Sequence, residues 1–477
     1  MKIIRLLCAS FALLLVLGTL YAQENDPRRI LEKAAAAVGR NKVHGRILHE
    51  HVVDSFLQFA QSDRMYPPYY PVVNTRELWF DASTGVTRKN TSVTFFGFGP
   101  TPPSTTITDK ENGAALRDSI ARPTRGGLDE LNAWDVLRDW LKSPSVRYGG
   151  EEVYRDYPRA ILVRRGENGD EKLYVDPKTG FPVKLDRIEP HYLLGQVHVE
   201  YVYATWIQVD NTFVPSFACR ISDGEPEIYR TVGESELVEA GKAPSMAIPE
   251  TNGPPLPPSS LGIIPSPEPD TVRISNRIFL THNLYYTEGC TLVDDTVYIF
   301  DATLGEQRAR QDSSWIARVF PGSHAVVLIV SDLAWPHISG VRYWVARGAT
   351  VVSHAMSEQF LGKIIERKWT LNPDLLERTR DHVRFRFVPV KKRYSLAGGA
   401  IQLFPIDGIA SEGALIAFCR DDRFLWAGDY IQTNKFPTAY ATEVWEAVQR
   451  EGISPLRVAA QHLPVTPWSV IESLQRN

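Results

Sequence analysis

Val330-Ser331-Asp332-Leu333-Ala334-Trp335-Pro336-His337-Ile338-Ser339-Gly340 is the stretch that decides the fold of the second half of this 477-residue chain. An apolar run from Ala325 to Val330 reads as a strand before it, and Val341 to Arg347 reads as a short helix after it. A loop that leaves a strand and enters a helix lies outside the carboxyl end of a sheet, where open α/β folds place their chemistry. This loop carries one carboxylate, Asp332, and one imidazole, His337. Between them stand a methyl group at Ala334 and a ring at Pro336.

Strands and helices alternate outward from that loop. Strands are expected at 277–280, 290–293, 297–301, 350–353, 384–388, 400–404, 414–418 and 424–427, and helices at 358–365, 438–450 and 468–474. Mixed alternation of this kind suits two sheets sandwiched between helices.

Laid on the loop, the pattern His-x-His-x-Asp-His-x-Gly-Gly falls on Asp332, Ala334, Pro336, His337 and Ser339-Gly340. The loop resembles the signature of the metallo-β-lactamase fold. His282-Asn283, VYIFDATLGEQRAR, GVRYWVARGATVVSHA, TLNPDLL, EGALIAF, FLWAGDY and AAQHLPVTPW extend the resemblance in order. It implies an αββα sandwich over 272–477 and a site where metal-bound water attacks an ester, amide or related bond. It also implies that this site is degenerate. A first metal would use positions 332, 334 and 410, but Ala334 and Ala410 offer no ligand atom. A second would use 336, 337 and 462, and Pro336 stands where the family has its proton-handling aspartate. Asp429 matches the bridging carboxylate. Asp332, His337, Asp429 and His462 therefore form a possible residual mononuclear site for one zinc or another divalent ion. The same residues can persist as a metal-free hydrogen-bonded cluster, and the count of lost ligands favours that reading. The resemblance places His282 and His354 at the pocket rim. Asp301 is expected to hold loops together.

The segment from Ala247 to Thr271 has eight prolines and reads as a linker, 247–271, between two domains. Before it, 24–246 alternates strand-like runs with turns, after a helix from a cap at Asp26 to Gly39. A second helix is expected over Leu128 to Leu141, with Asp129 and Glu130 at its positive end. The runs LYVDPKTGFPVKLDRIE and VEYVYATWIQVDNTFVP resemble periplasmic lipoprotein-carrier-like half-barrels. That resemblance implies an α+β domain whose curved antiparallel sheet wraps helices and an apolar groove, and hence a possible apolar ligand.

Residues 1–22 read as a signal peptide: Lys2 and Arg5, an apolar run from Leu6 to Gly18, then Tyr21-Ala22-Gln23. The run is short for a membrane span, so the mature chain is expected to be exported, periplasmic or secreted, with no transmembrane span. Removing the leader takes the formal charge from −3 to −5, which excludes the basic face of a nucleic-acid binder. Cys219, Cys290 and Cys419 remain and lack zinc-knuckle spacing; Cys219 and Cys419 read as buried thiols. No Gly-x-Ser-x-Gly elbow or phosphate-cradling loop occurs. Together these features point to an exported ligand- or partner-binding pseudoenzyme. The alternatives are a hydrolase with a rearranged one-metal site and apolar-ligand binding by the first domain.

Overall fold

The computed structural model describes residues 25–57, 72–94, 99–117, 120–251, 270–283, 286–406, 412–432 and 439–475. The leader, the aromatic stretch from Met65 to Pro71, Ala410 and most of the proline-rich segment lie outside them. The chain divides into two compact units. The residues before 58, Val72–Glu189 and those from Val197 to the linker form the first. Pro190–Gln196 and the residues after the linker form the second. The expected first domain took in 190–196, but Leu193 is buried in a core cluster of the second unit. The expected linker also ran too far: Asp270 and Thr271 already belong to a strand paired with Thr281 and His282.

The first unit is a large antiparallel sheet with two helices. Its first strands are β1 (Arg46–Phe56), β2 (Val72–Phe80), β3 (Thr87–Thr94), β4 (Ser104–Thr108), β5 (Asn112–Arg117) and β6 (Ile120–Arg125). The rest are β7 (Arg147–Tyr154), β8 (Tyr157–Gly166), β9 (Gly169–Val175), β10 (Pro182–His191), β11 (Gly195–Val209), β12 (Thr212–Ser222) and β13 (Glu225–Glu239). The spatial order runs from β6 down to β1, then from β13 down to β7, so the two halves meet where β1 pairs with β13. Helix α1 (Pro27–Ala37) is capped by the Asp26 carboxylate, which accepts from the Arg28 amide.

The second helix departs from expectation. It begins at Ala133, not Leu128, and runs to Lys142 as α2. The Asn132 side chain caps it by accepting from the amides of Trp134 and Asp135. Asp129 lies outside the helix because its carboxylate is buried against Arg230 (2.9 Å) and Lys89 (3.1 Å).

Strand periodicity puts Leu48, Glu50, Val52 and Asp54 on the buried face of β1, and His51 and Val53 on the exposed one. On the buried face Arg230 donates two bonds to Asp54, at 2.7 and 2.9 Å, and Arg76 donates to the same carboxylate. That face thus carries a charged network beside the small apolar cluster of Val52, Leu78 and Val232. Glu50 lies in it, and burial pushes its carboxyl up to about 7 against the pull of Arg230. Because the unfolded carboxyl ionises first, stability falls as pH rises from about 4.5 to about 7. Glu50→Gln removes that dependence. At pH 8 it is expected to stabilise the first unit by about 2–3 kcal/mol. Slower amide exchange in β1 peptides of the variant at pH 8, with no difference at pH 4.5, checks this.

The second unit contains two sheets. The seven-stranded one runs in sequence order: β14 (Asp270–Arg273), β15 (Ile278–Asn283), β16 (Tyr286–Val293), β17 (Thr296–Phe300), β18 (Ala325–Ile329), β19 (Thr350–His354) and β20 (Arg386–Val390). Its pairings are antiparallel up to β17 and parallel from there on. The six-stranded sheet follows: β21 (Tyr394–Leu396), β22 (Ile401–Pro405), β23 (Leu415–Cys419), β24 (Phe424–Trp426), β25 (Arg457–Ala460) and β26 (Leu463–Pro467). One core cluster unites Leu280, Phe300, Ile329 and Val352 of the first sheet with Leu403, Leu415, Phe424 and Trp426 of the second, so the sheets face each other across an apolar layer.

The helices are α3 (Gly305–Val319), α4 (Trp335–Ile338), α5 (Val341–Ala346), α6 (Glu358–Glu366), α7 (Leu375–Thr379), α8 (Ala439–Glu451) and α9 (Trp468–Gln475). A second cluster packs Trp315, Ile316, Val341, Trp344, Leu361 and Ile364 of these helices against Val297, Ile299, Leu328 and Val351 of the first sheet. Cys219, Cys290 and Cys419 are buried free thiols. Among the described residues no helix is long and apolar enough to cross a membrane.

Candidate metal centre

Strands β17, β18, β24 and β25 deliver their carboxyl ends to one edge of the second unit. The residues just beyond them are Asp301, Ser331-Asp332, Asp429 and Gln461-His462. The arrangement follows from direction. β17 and β18 are parallel, as are β24 and β25, so each pair releases its chain on the same side.

Asp301 organises this edge. Its Oδ1 accepts from the Ser331 amide (2.7 Å), and its Oδ2 accepts from Ser331 Oγ (2.6 Å), Trp426 Nε1 (2.8 Å) and Gln461 Nε2 (2.9 Å). The residue sits at φ 62°, a left-handed conformation that aspartate tolerates better than most residues. Burial and the neighbouring Asp332 push its carboxyl up to about 6. Ser331, whose hydroxyl is spent on Asp301 and 1 % exposed, is a tie and not a nucleophile. Gly428 is required beside it: at φ 56°, an added Cβ would meet Ser331 Oγ at 2.6 Å.

Asp332 is held from three directions. Its Oδ1 accepts from the Ala334 amide (2.9 Å) and faces His337 Nδ1 (2.8 Å), and its Oδ2 accepts from Gln461 Nε2 (3.0 Å). His337 is wholly buried, and its Nε2 has no hydrogen-bond partner among the described residues. Ligand atoms of His337, Asp429 and His462 lie within 4.8 Å of one another, and His462 Nε2 stands 3.2 Å from Asp429 Oδ1. Burial works against a charged His337, but Asp332 and Asp429 outweigh it and hold the imidazole up at about 9. Burial raises the Asp429 carboxyl to about 7, with His337 opposing and Asp332 and Asp301 adding to the rise. Tyr286 packs against both imidazoles, with ring centroids 5.5 Å from His337 and 4.9 Å from His462.

Of the four residues expected around an ion, the structure thus gathers His337, Asp429 and His462. It sets Asp332 behind them as the partner that fixes the His337 ring. His282 bonds Thr287 Oγ1 (3.0 Å), whose amide donates to the Gln461 carbonyl (2.6 Å), so it joins the edge only indirectly. His354 is turned to local work: its Nδ1 accepts from the Met356 amide (3.3 Å) and caps the turn after β19. Gln461 and Tyr286 were not singled out from the sequence. An uncharged residue beside a candidate histidine and an aromatic in a strand carry no spacing signal.

No family model matches the sequence, and no curated protein matches it. Among solved structures the chain is similar to DIM-1 metallo-β-lactamase, at 11% identity and a TM-score of 0.35 over 44% of this chain and 97% of that one. It is similar to TMB-1, at 12% and 0.34 over 44% and 96%. It is also similar to a metallo-β-lactamase from Hirschia baltica, at 9% and 0.34 over 44% and 97%.

Asp301→Asn keeps the shape of the side chain but turns one acceptor into a donor aimed at donors. It is expected to destabilise the second unit by at least about 2 kcal/mol, read as a lower denaturant midpoint at pH 7.5.

Proposed function

We propose that the second unit is an αββα domain of metallo-β-lactamase type that has abandoned dinuclear hydrolysis and retains one three-ligand cation site. In this reading the protein is exported and works by binding a ligand or partner. The observation that carries the reading is the Nε2 of His337: buried, without a hydrogen-bond partner among the described residues, and fixed from behind by Asp332. A carboxylate on one imidazole nitrogen with the other left open is how proteins present histidine to a metal.

Two imidazoles and one carboxylate suit zinc, with room for a further ligand. A bound ion of this kind supplies Lewis acidity and lowers the pKa of a coordinated water. The chain's own residues do the positioning: Asp332 sets the tautomer of His337, Gln461 ties Asp332 to Asp301, and Tyr286 covers the two rings. They do not supply proton transfer in the family's manner. Pro336 has no carboxylate, and Ala334 has only a methyl group to offer a second ion.

A one-metal hydrolase is the second reading. One observation favours it: Tyr286 and His462 are only partly buried, so the triad is not wholly closed to solvent. Turnover separates the two. The zinc-loaded protein is expected to hydrolyse neither a chromogenic β-lactam nor an aryl ester above the solution rate. Turnover lost in His462→Ala and on chelation would overturn the binding reading in favour of the hydrolase.

A further inference from the structure

Far along the sequence from that edge, β1 and β2 bring a second group of ligand atoms together. His49 and His51 are two apart on β1, so strand periodicity aims both at the same face of the sheet. The antiparallel register sets Glu77 of β2 directly opposite His51, and Trp79 opposite His49. Ligand atoms of His49, His51 and Glu77 lie within 4.8 Å of one another.

The details around His49 are those of a prepared ligand. Its ring stacks on Trp79, with centroids 4.8 Å apart and planes inclined by 6°. Its Nδ1 lies 2.9 Å from the Glu236 carboxylate on β13, which orients the ring and turns Nε2 toward Glu77. That Nε2 is buried and makes no hydrogen bond among the described residues, and Glu77 Oε1 stands 3.4 Å away. A cation on that nitrogen, a proton or a metal ion, joins the two groups, and His51 beside them supplies a third donor for the metal ion. The other oxygen of Glu77 accepts from Asn90 Nδ2 (3.1 Å), which holds the carboxylate in place. The His51 ring is edge-on to His49, with centroids 5.0 Å apart, and exposed to solvent, so the third ligand can turn inward without disturbing packing.

We propose that His49, His51 and Glu77 form a second divalent transition-metal site, on the exposed face of the first unit. Imidazole and carboxylate donors select zinc, nickel or copper over the hard cations calcium and magnesium. Ligands at about 2.0–2.1 Å from a tetrahedral zinc lie closer together than 4.8 Å, so the three side chains draw in slightly on binding. Water takes the remaining position. The site owes nothing to His337 or His462 and stands or falls separately from them.

The test uses the full mature chain carrying His337→Ala and His462→Ala, dialysed against zinc. One equivalent is expected to remain, with affinity lowered at least tenfold by adding either His51→Asn or Glu77→Gln. Copper bound to the same protein is expected to show imidazole nitrogen couplings in its electron paramagnetic resonance spectrum that weaken with His51→Asn. Should the double variant fail to fold, the wild-type chain and its single His51→Asn variant are compared instead, with loss of one equivalent expected. His51 is exposed, so that substitution leaves the sheet intact, as circular dichroism would verify. No zinc in the double variant, or zinc unaffected by both substitutions, overturns the proposal.

Discussion

A single buried carboxylate holds the edge of the second unit together. Asp301 takes two donors from Ser331, one from Trp426 and one from Gln461, and so joins the ends of β17, β18, β24 and β25 across both sheets. Left unpaired, such a group would cost several kcal/mol to bury; with four donors it becomes a fixed point. Every other feature of the site is referred to it. Gln461 uses one amide nitrogen to bridge Asp301 and Asp332, Asp332 then aims His337, and the turn carrying Gln461 presents His462.

The consequence is a pocket of concentrated negative charge. Asp332 raises the proton affinity of Asp301, both raise that of Asp429, and a wholly buried imidazole sits among them. Two states satisfy such a cluster: extra protons, or a cation. A metal-free cluster of this kind is chemically self-consistent, and His337 charged between Asp332 and Asp429 describes it. In that cluster the Nε2 of His337 has no hydrogen-bond partner among the described residues.

The sequence was most legible where burial follows a simple period. The strands that frame the loop, the cap at Asp26 and the helices over 358–365, 438–450 and 468–474 fall within a few residues of expectation. Legibility failed where charge is buried. Helix α3 was not anticipated, because its buried stripe includes Arg308 and Asp312, paired at 2.9 Å and closed over by Glu288. Residues 128–132 read as helix because acids suit a helix start, yet Asp129 is drawn out to Arg230. At the candidate site, the residue types were readable but their division of labour was not: only geometry makes Asp332 the partner of His337 Nδ1 and groups Asp429 with His337 and His462. The pairing of His49 and His51 with Glu77 was not legible because the carboxylate comes from another strand, through the register of β1 and β2.

One divalent ion is proposed to belong among His337, Asp429 and His462. The most direct measurement is a crystal of the mature protein grown with zinc and recorded on both sides of the zinc absorption edge. An anomalous peak is expected in contact with His337 Nε2, Asp429 and His462, with Asp332 still on His337 Nδ1. A map with no peak there, and His337 Nε2 bonded to a carboxylate or water, would contradict it.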